Sequence, residues 1–380
     1  MEILFKITSY SMVIFLNYFL IKKISIKHNF NIRLSYFITS FHFIFTLIFI
    51  INELTIGSDS GHYFHTFNEK VTGGVIFYPG QPTIFYYTIF FLEKIKLDFY
   101  SISLLFNLTG SLSLIFLANI SLDFIKMKKS ITGLLLISII FLPSFNFWIS
   151  GLSKDNLIIF LLSCYVFLLH KNRMNLLNFI VITLVIFLIR PYVAAFIFVS
   201  ISLVTMVEIF FYKRKNIKNI IIAISSIVAG YTIYKLFFGI FSETSISIAI
   251  SNLQNSYADT NLGISKDTNF LLRIINYMIT PTLFHNTSGL LINIIKIENL
   301  YLTIILSYFL FQCLSNYKKI NLNIGFNSLI IIFSGFVFLV VLATVTSNIG
   351  IVLRQKWMVI PFLLYTMHFF FSQIQKKKLN

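Results

Sequence analysis

Residues 176–211 read LLNFIVITLVIFLIRPYVAAFIFVSISLVTMVEIFF, two apolar runs that meet at Arg190-Pro191. As a single helix, thirty-odd residues at ~1.5 Å each would reach about 50 Å, well beyond a hydrocarbon core of ~30 Å. The segment therefore reads as two membrane spans, 175–190 and 192–211, with Arg190-Pro191 at the turn between them.

The rest of the chain repeats this pattern. Of its 380 residues 57% are hydrophobic and only 11% charged, and the mean hydropathy is +0.85. No soluble division into core and surface hides that much apolar area. Further stretches of span length fall near 4–21, 35–52, 100–121, 131–148, 155–170, 219–240, 299–316, 326–346 and 357–373, giving about eleven spans (ten to twelve) in an all-α integral membrane protein. Short basic linkers separate them: Lys22, Lys23, Lys27 and Arg33; Lys126, Lys128 and Lys129; Lys171 and Arg173; Lys213, Arg214, Lys215 and Lys218; Lys318 and Lys319; then Lys376, Lys377 and Lys378. With eleven spans and an external N-terminus, every cluster is cytoplasmic, as the positive-inside rule requires. The net charge of +17 is thus spread between spans and forms no separate basic face for nucleic acid.

The apolar, aromatic segment Gln81 to Leu97 would, as a twelfth span, carry Lys126, Lys128 and Lys129 to the outside, so it reads as a re-entrant or interfacial helix. Leu271–Ile295, interrupted by Pro281, His285 and Gly289, reads the same way. Both belong to long external loops, 53–99 and 241–298, of one polytopic domain covering 1–380. The first apolar run, after Lys6, has no small-residue cleavage site and reads as a retained span. Cys164 and Cys313 are lone thiols in apolar stretches, without metal-ligand spacing. Heavy use of Phe, Ile, Asn and Lys suits AT-rich coding DNA and hence a bacterial source.

Ionisable groups gathered at one membrane depth mark a candidate site, because each is costly there unless paired or solvated. Asp59 lies in Gly57-Ser58-Asp59-Ser60-Gly61-His62-Tyr63-Phe64-His65, just after the second span. A carboxylate there can accept the proton of an attacking hydroxyl, although the same residues also suit a solvated turn. Asp59, His62 and His65 could ligate a divalent metal, but three residues from one loop make a short ligand set. Gly151-Leu152-Ser153-Lys154-Asp155 opens the fifth span, with Ser153 as cap and Asp155 at the favourable end of the helix dipole. Lys154 is unfavourable at that end unless an anion such as phosphate binds beside it. Arg190 and Arg354 either grip phosphate oxygens bidentately or snorkel to the interface beside Tyr192 and Trp357. His285 and Glu298 are external and could touch a substrate; His28, His42, His170 and His368 suit packing or interface roles. There is no Walker loop, dinucleotide fingerprint, HExxH or GxSxG, so an enzyme built on this chain needs an already activated substrate and no cofactor.

The first-loop aspartate, the Gly-Leu-Ser-Lys-Asp turn at 151–155, Arg190-Pro191, the Pro281-to-Glu298 segment and the Arg354-to-Pro361 stretch together resemble bacterial polytopic proteins of polysaccharide gene clusters. These are the GT-C-type glycosyltransferases and the O-antigen polymerases. The resemblance implies a GT-C-like fold in the bacterial inner membrane, with a periplasmic active site that uses polyprenyl-phosphate or polyprenyl-diphosphate sugars. Asp59 matches the first-loop acid of that class, whose second acid is replaced here by flanking Ser58 and Ser60, with Glu69 the next acid. Arg190 and Arg354 match in role the external arginines of the polymerases.

The expectation is a glycosyltransferase that polymerises lipid-linked O-antigen or capsule repeat units on the periplasmic face. Asp59 would serve as base with Asp155 as its rival, Lys154, Arg190 and Arg354 would hold the donor phosphates, and His62, His65 and His285 would line the substrate. Its partners would be the lipid-linked donor and acceptor, membrane lipid and other polysaccharide-assembly proteins. Two readings stay open beside it. One is a transferase adding a single sugar from a polyprenyl-monophosphate donor; the other is a lipid-linked oligosaccharide flippase, for which the paired repeats and mid-span charges are missing.

Overall fold

The computed structural model describes residues 2–57, 60–62, 64–66, 83–127, 131–210, 224, 226–228, 231, 269–282, 290–317, 324–346 and 349–376. Its regular structure is helical, with no strand among the described residues. The helices are α1 (Glu2–Lys27), α2 (Ile32–Thr55), α3 (Thr83–Lys94), α4 (Phe99–Met127), α5 (Ile131–Ile137), α6 (Pro143–Trp148), α7 (Lys154–His170), α8 (Leu176–Ile189), α9 (Pro191–Phe210), α10 (Phe270–Ile279), α11 (Leu290–Ser315), α12 (Phe326–Val345), α13 (Ile349–Gln355) and α14 (Ile360–Lys376). Among the described residues, five helices are long and apolar enough to cross a membrane: Ile32–Thr55, Phe99–Ile125, Pro191–Phe210, Ile292–Ser315 and Phe326–Thr344. A sixth crossing results if the bent pair Gly350–Met358 and Ile360–Ile374, which meet at 49°, counts as one broken span.

The segment 176–211 is divided at the expected point: α8 stops at Ile189, Arg190 is non-helical, and Pro191 starts α9 with no N–H to leave unbonded; of the two expected spans, α9 is long enough to cross, whereas α8, with 14 residues, reaches about 21 Å. The stretch 131–148, expected as one span, is broken into α5, a 3-10 turn at Ser138–Phe141 and α6. Pro143 at the first turn of α6 and the extended Leu142 before it account for the break. Helix α11 begins at Leu290, so part of the expected second loop is helical. At 12 residues, α3 reaches only about 18 Å, too short to cross. The expected span at 219–240 lies almost wholly outside the described residues.

The chain forms two compact units, Met1–Asn119 with Ile140–Cys164 and Leu188–Arg190, and Ile120–Ile139 with Tyr165–Phe187 and Pro191–Asn380. In the first unit α1 and α2 form a hairpin whose turn places Asn29 in the left-handed region (φ 57) and caps α2 through Asn31 Oδ1 to Leu34 N–H. Polar side chains then tie the helices together, as expected where no water competes for their bonds. Tyr10 donates to Asp98 (2.7 Å) and Asn17 to the Leu104 carbonyl (2.7 Å), joining α1 to α4. Asn107 on α4 donates to Thr46 on α2 (2.9 Å), and His42 on α2 meets Asn146 on α6 (3.1 Å). On α7, Asn156 bonds Thr109 of α4 (2.9 Å) and Phe160 stacks on Phe116 (6.4 Å), so α1, α4 and α7 run parallel and α2 antiparallel, and the starts of α4 and α7 and the end of α2 share one end of the unit. Lys22, Lys23 and Lys27 lie at the far end of α1.

The second unit is built on ring contacts: Phe338 on α12 packs against Phe196 on α9 (centroids 5.2 Å) and Phe362 on α14 (5.0 Å). Tyr308 on α11 stacks on Phe371 of α14 (5.9 Å), while Tyr365 bonds Ser328 on α12 (2.7 Å). His170 and Lys171 both bond Asp123 (3.0 and 2.6 Å), and His368 stacks on Phe124, the packing roles expected of these histidines.

Gly110 sets the spacing at the centre of the first unit. A Cβ there would overlap His42 Nε2 and the Ile149 carbonyl oxygen, which is backbone and cannot swing aside. Gly110→Ala is therefore expected to cost about 1–3 kcal/mol, read as a lowered Tm in detergent. Gly325→Ala, at a position with open space around it, is the control expected to leave Tm unchanged; equal Tm values for both variants would contradict the packing described.

Candidate functional site

The turn at 149–153 and the first residues of α7 are held by Asn156, whose side chain is fully buried. Its Nδ2 donates to the carbonyls of Phe106 (3.0 Å) and Gly151 (3.1 Å), and its Oδ1 accepts from Thr109 Oγ1 (2.9 Å). Every polar atom of the amide is thus used to fix the start of α7 on α4. Ser153 caps the helix, its Oγ accepting from Asn156 N–H (3.0 Å), as the sequence suggests. Gly151 takes φ +63 with the Phe49 ring against its α-carbon, where a side chain would collide.

Asp155 and Lys154 leave this fixed start side by side. Asp155 is buried and forms an ion pair with Arg190 Nη2, 35 residues along the chain. One arm of the guanidinium thus meets the protein's own carboxylate. Lys154 is half-buried next to the pair, so two cationic groups and one carboxylate share the end of the first unit.

The first-loop residues gather at this end. Residues 60–62 and 64–66 are helical, and Phe64 packs on an apolar cluster of Phe85, Tyr86, Ile89, Ile102, Phe106 and Leu152. Leu152 precedes Lys154 by two residues, so this cluster anchors both the first-loop helix and the start of α7. His62 and His65 are exposed beside it, with Phe64 and His65 edge to face at 5.7 Å. Asp59 and His285 lie outside the described residues.

Glu53 is a residue the sequence reading passed over. It sits one turn beyond Phe49 on the same side of α2, and its carboxylate lies directly against Gly61, where a Cβ would overlap Oε1. A second acid therefore stands beside the first loop, supplied by the end of α2 and not by the loop itself. The only sequence signal was the glycine, whose missing side chain admits the carboxylate. Among the described residues no group of three or more His, Cys, Asp or Glu is gathered around a metal position.

Arg354 belongs to the second unit, at the end of α13. Its neighbour Lys356 is completely buried and donates to Asn299 Oδ1 on α11, with the Glu298 carboxylate within electrostatic reach. Glu298 and Lys296 are buried as well. A run such as Arg-Gln-Lys-Trp gives no sign of which cation is enclosed, because that depends on the rotation of the helix.

Comparison with known families finds no family model that matches this chain, and comparisons with curated proteins and with solved structures also return no match.

Breaking a buried ion pair from one side strands the other charge, at a cost of about 3–5 kcal/mol. Arg190→Gln and Asp155→Asn are each expected to lower Tm clearly, and the double variant to lose less than the two single losses added together. Strictly additive losses in detergent unfolding curves would show that the two side chains do not meet.

Proposed function

We propose that this chain is a bacterial inner-membrane glycosyltransferase that joins polyprenyl-linked saccharides on the periplasmic face, polymerising O-antigen or capsule repeat units. The observation that carries the reading is the Asp155–Arg190 pair beside Lys154, set at the end of the first unit away from Lys22, Lys23 and Lys27. Under the positive-inside rule that end faces outward, with about eleven spans, a periplasmic N-terminus and a GT-C-like arrangement.

In this mechanism Arg190 and Lys154 stabilise the phosphate charge that develops as the sugar leaves its lipid carrier. Asp155 acts as a positioning residue: it holds the guanidinium and keeps it from collapsing toward solvent. Because Asp155 is occupied by Arg190, the general base falls to Asp59, and His62 and His65 lie along the acceptor's approach. Arg354, in the second unit, is assigned a phosphate contact of its own. Proton and charge balance are met by the reaction itself: the acceptor hydroxyl gives its proton to Asp59, the new glycosidic bond forms, and the lipid phosphate departs as the anion.

The test is the surface-polysaccharide banding of a deletion strain complemented at matched membrane levels. Wild type is expected to restore the ladder, whereas Asp59→Ala and Arg190→Ala leave material with a single repeat unit. A ladder that persists in the deletion strain with uniformly shifted bands would replace polymerisation with addition of one sugar. Full complementation by both variants would remove the proposed site.

A further inference from the structure

The second unit holds three cations, Arg273, Lys296 and Lys356, that the glycosyl-transfer reading does not use. Helix α10 packs on α11 and α12 and places Arg273 at the end of α12, where Nε donates to the Ala343 carbonyl (2.9 Å). That bond accounts for one donor of a five-donor fork. Nη2 is enclosed and has no hydrogen-bond partner among the described residues. Burial draws the guanidinium's pKa below its ordinary value, the direction expected when a cation loses water without gaining a counter-charge.

A chain of polar contacts connects this arginine to the other cations. Thr346, one turn beyond Ala343, meets Gln355 (3.5 Å), and Gln355 also reaches Tyr192 (3.3 Å). Gln355 stands between Arg354 and buried Lys356, and Lys356 bonds Asn299. Asn299 in turn donates to the Pro281 carbonyl (2.9 Å), just past the end of α10, which closes the ring. Lys296 lies one turn before Asn299. The elements that form this ring carry Arg273 and the buried Lys296 and Lys356, with Glu298 near Lys356.

Depth indicates the kind of anion. Helix α10 has 10 residues, too few to cross a bilayer, yet it exposes Phe270, Leu271, Leu272 and Ile275, each more than half accessible. A short helix with such a face beds at the boundary between headgroups and acyl chains. Arg273 then stands at headgroup depth, where phosphate is the abundant anion and a partly exposed guanidinium forms charge-assisted hydrogen bonds to it. We propose that Arg273, supported by the polar ring around it, binds the phosphate headgroup of a membrane lipid. This site lies wholly within the second unit and is independent of the Asp155–Arg190 pair, so it stands whether or not the chain transfers sugars.

The experiment uses the full chain in neutral dodecyl-maltoside micelles with radiolabelled farnesyl phosphate as probe. Wild type is expected to retain the probe; Arg273→Gln is expected to weaken retention about tenfold, and Arg273→Lys, which keeps the charge and loses the fork, to fall between them. Lys23→Gln, an exposed cation at the far end of α1, is the charge-removal control expected to leave retention unchanged. Competition by phosphatidic acid equal to that by unlabelled farnesyl phosphate makes lipid phosphate in general the ligand, and competition by farnesyl phosphate alone narrows it to isoprenoid lipids; either result supports the site. Wild-type retention in Arg273→Gln, or in Arg273→Lys if the glutamine variant does not fold, overturns the proposal. So does inorganic phosphate that competes as well as either lipid.

Discussion

Hydrocarbon offers no partner to a polar group, so an amide, hydroxyl or charge on these helices is stabilised where the protein supplies one. The Asn156 side chain meets that demand most fully. Its three hydrogen bonds lock the start of α7 to α4 and to the Gly151 turn, and the positions of Lys154 and Asp155 follow from that lock. Asp155 then orients Arg190, which sits at the break imposed by Pro191. Placement of the candidate site therefore passes from one buried amide to a helix start, from there to a carboxylate, and finally to a guanidinium.

The two units satisfy the same demand by different means. The first uses small polar side chains between closely spaced helices, with Gly110 allowing α4 to approach His42 and Ile149. In the second, aromatic rings around Phe338 fill the space, and polar contacts are concentrated at the ring that runs from Arg273 to Asn299. Buried Lys356 is the extreme case: a cation enclosed at the bend before α14 is tolerated because Asn299 Oδ1 accepts a hydrogen bond from it and Glu298 lies near. A charge in such a position marks a place where the bend itself is held, since losing either partner would strand the ion.

Much of the helix placement was legible in the sequence because hydropathy and proline act locally. The division at Arg190-Pro191, the Ser153 cap and the short helix within 81–97 all depend on neighbours a few residues away. The break at 138–142 was signalled by Pro143, yet the surrounding apolar run hid it, since hydropathy is the same for a straight span and a broken one. What could not be read were contacts through space. Asp155 with Arg190, Glu53 against Gly61 and Lys356 with Asn299 join residues whose meeting depends on how each helix is rotated, and an almost uniformly apolar surface carries little periodicity to report that rotation.

Periplasmic glycosyl transfer requires the end of the first unit that carries His62, His65, Lys154, Asp155 and Arg190 to face away from the cytoplasm, with Lys22, Lys23 and Lys27 on the other side. The most direct measurement is labelling of single cysteines by a membrane-impermeant maleimide in intact spheroplasts, in a background where Cys164 and Cys313 are serine. His65→Cys and Lys23→Cys both sit at exposed positions. The account predicts that His65→Cys is labelled in intact cells and Lys23→Cys only after lysis. The reverse pattern would put the candidate site on the cytoplasmic side and contradict the account.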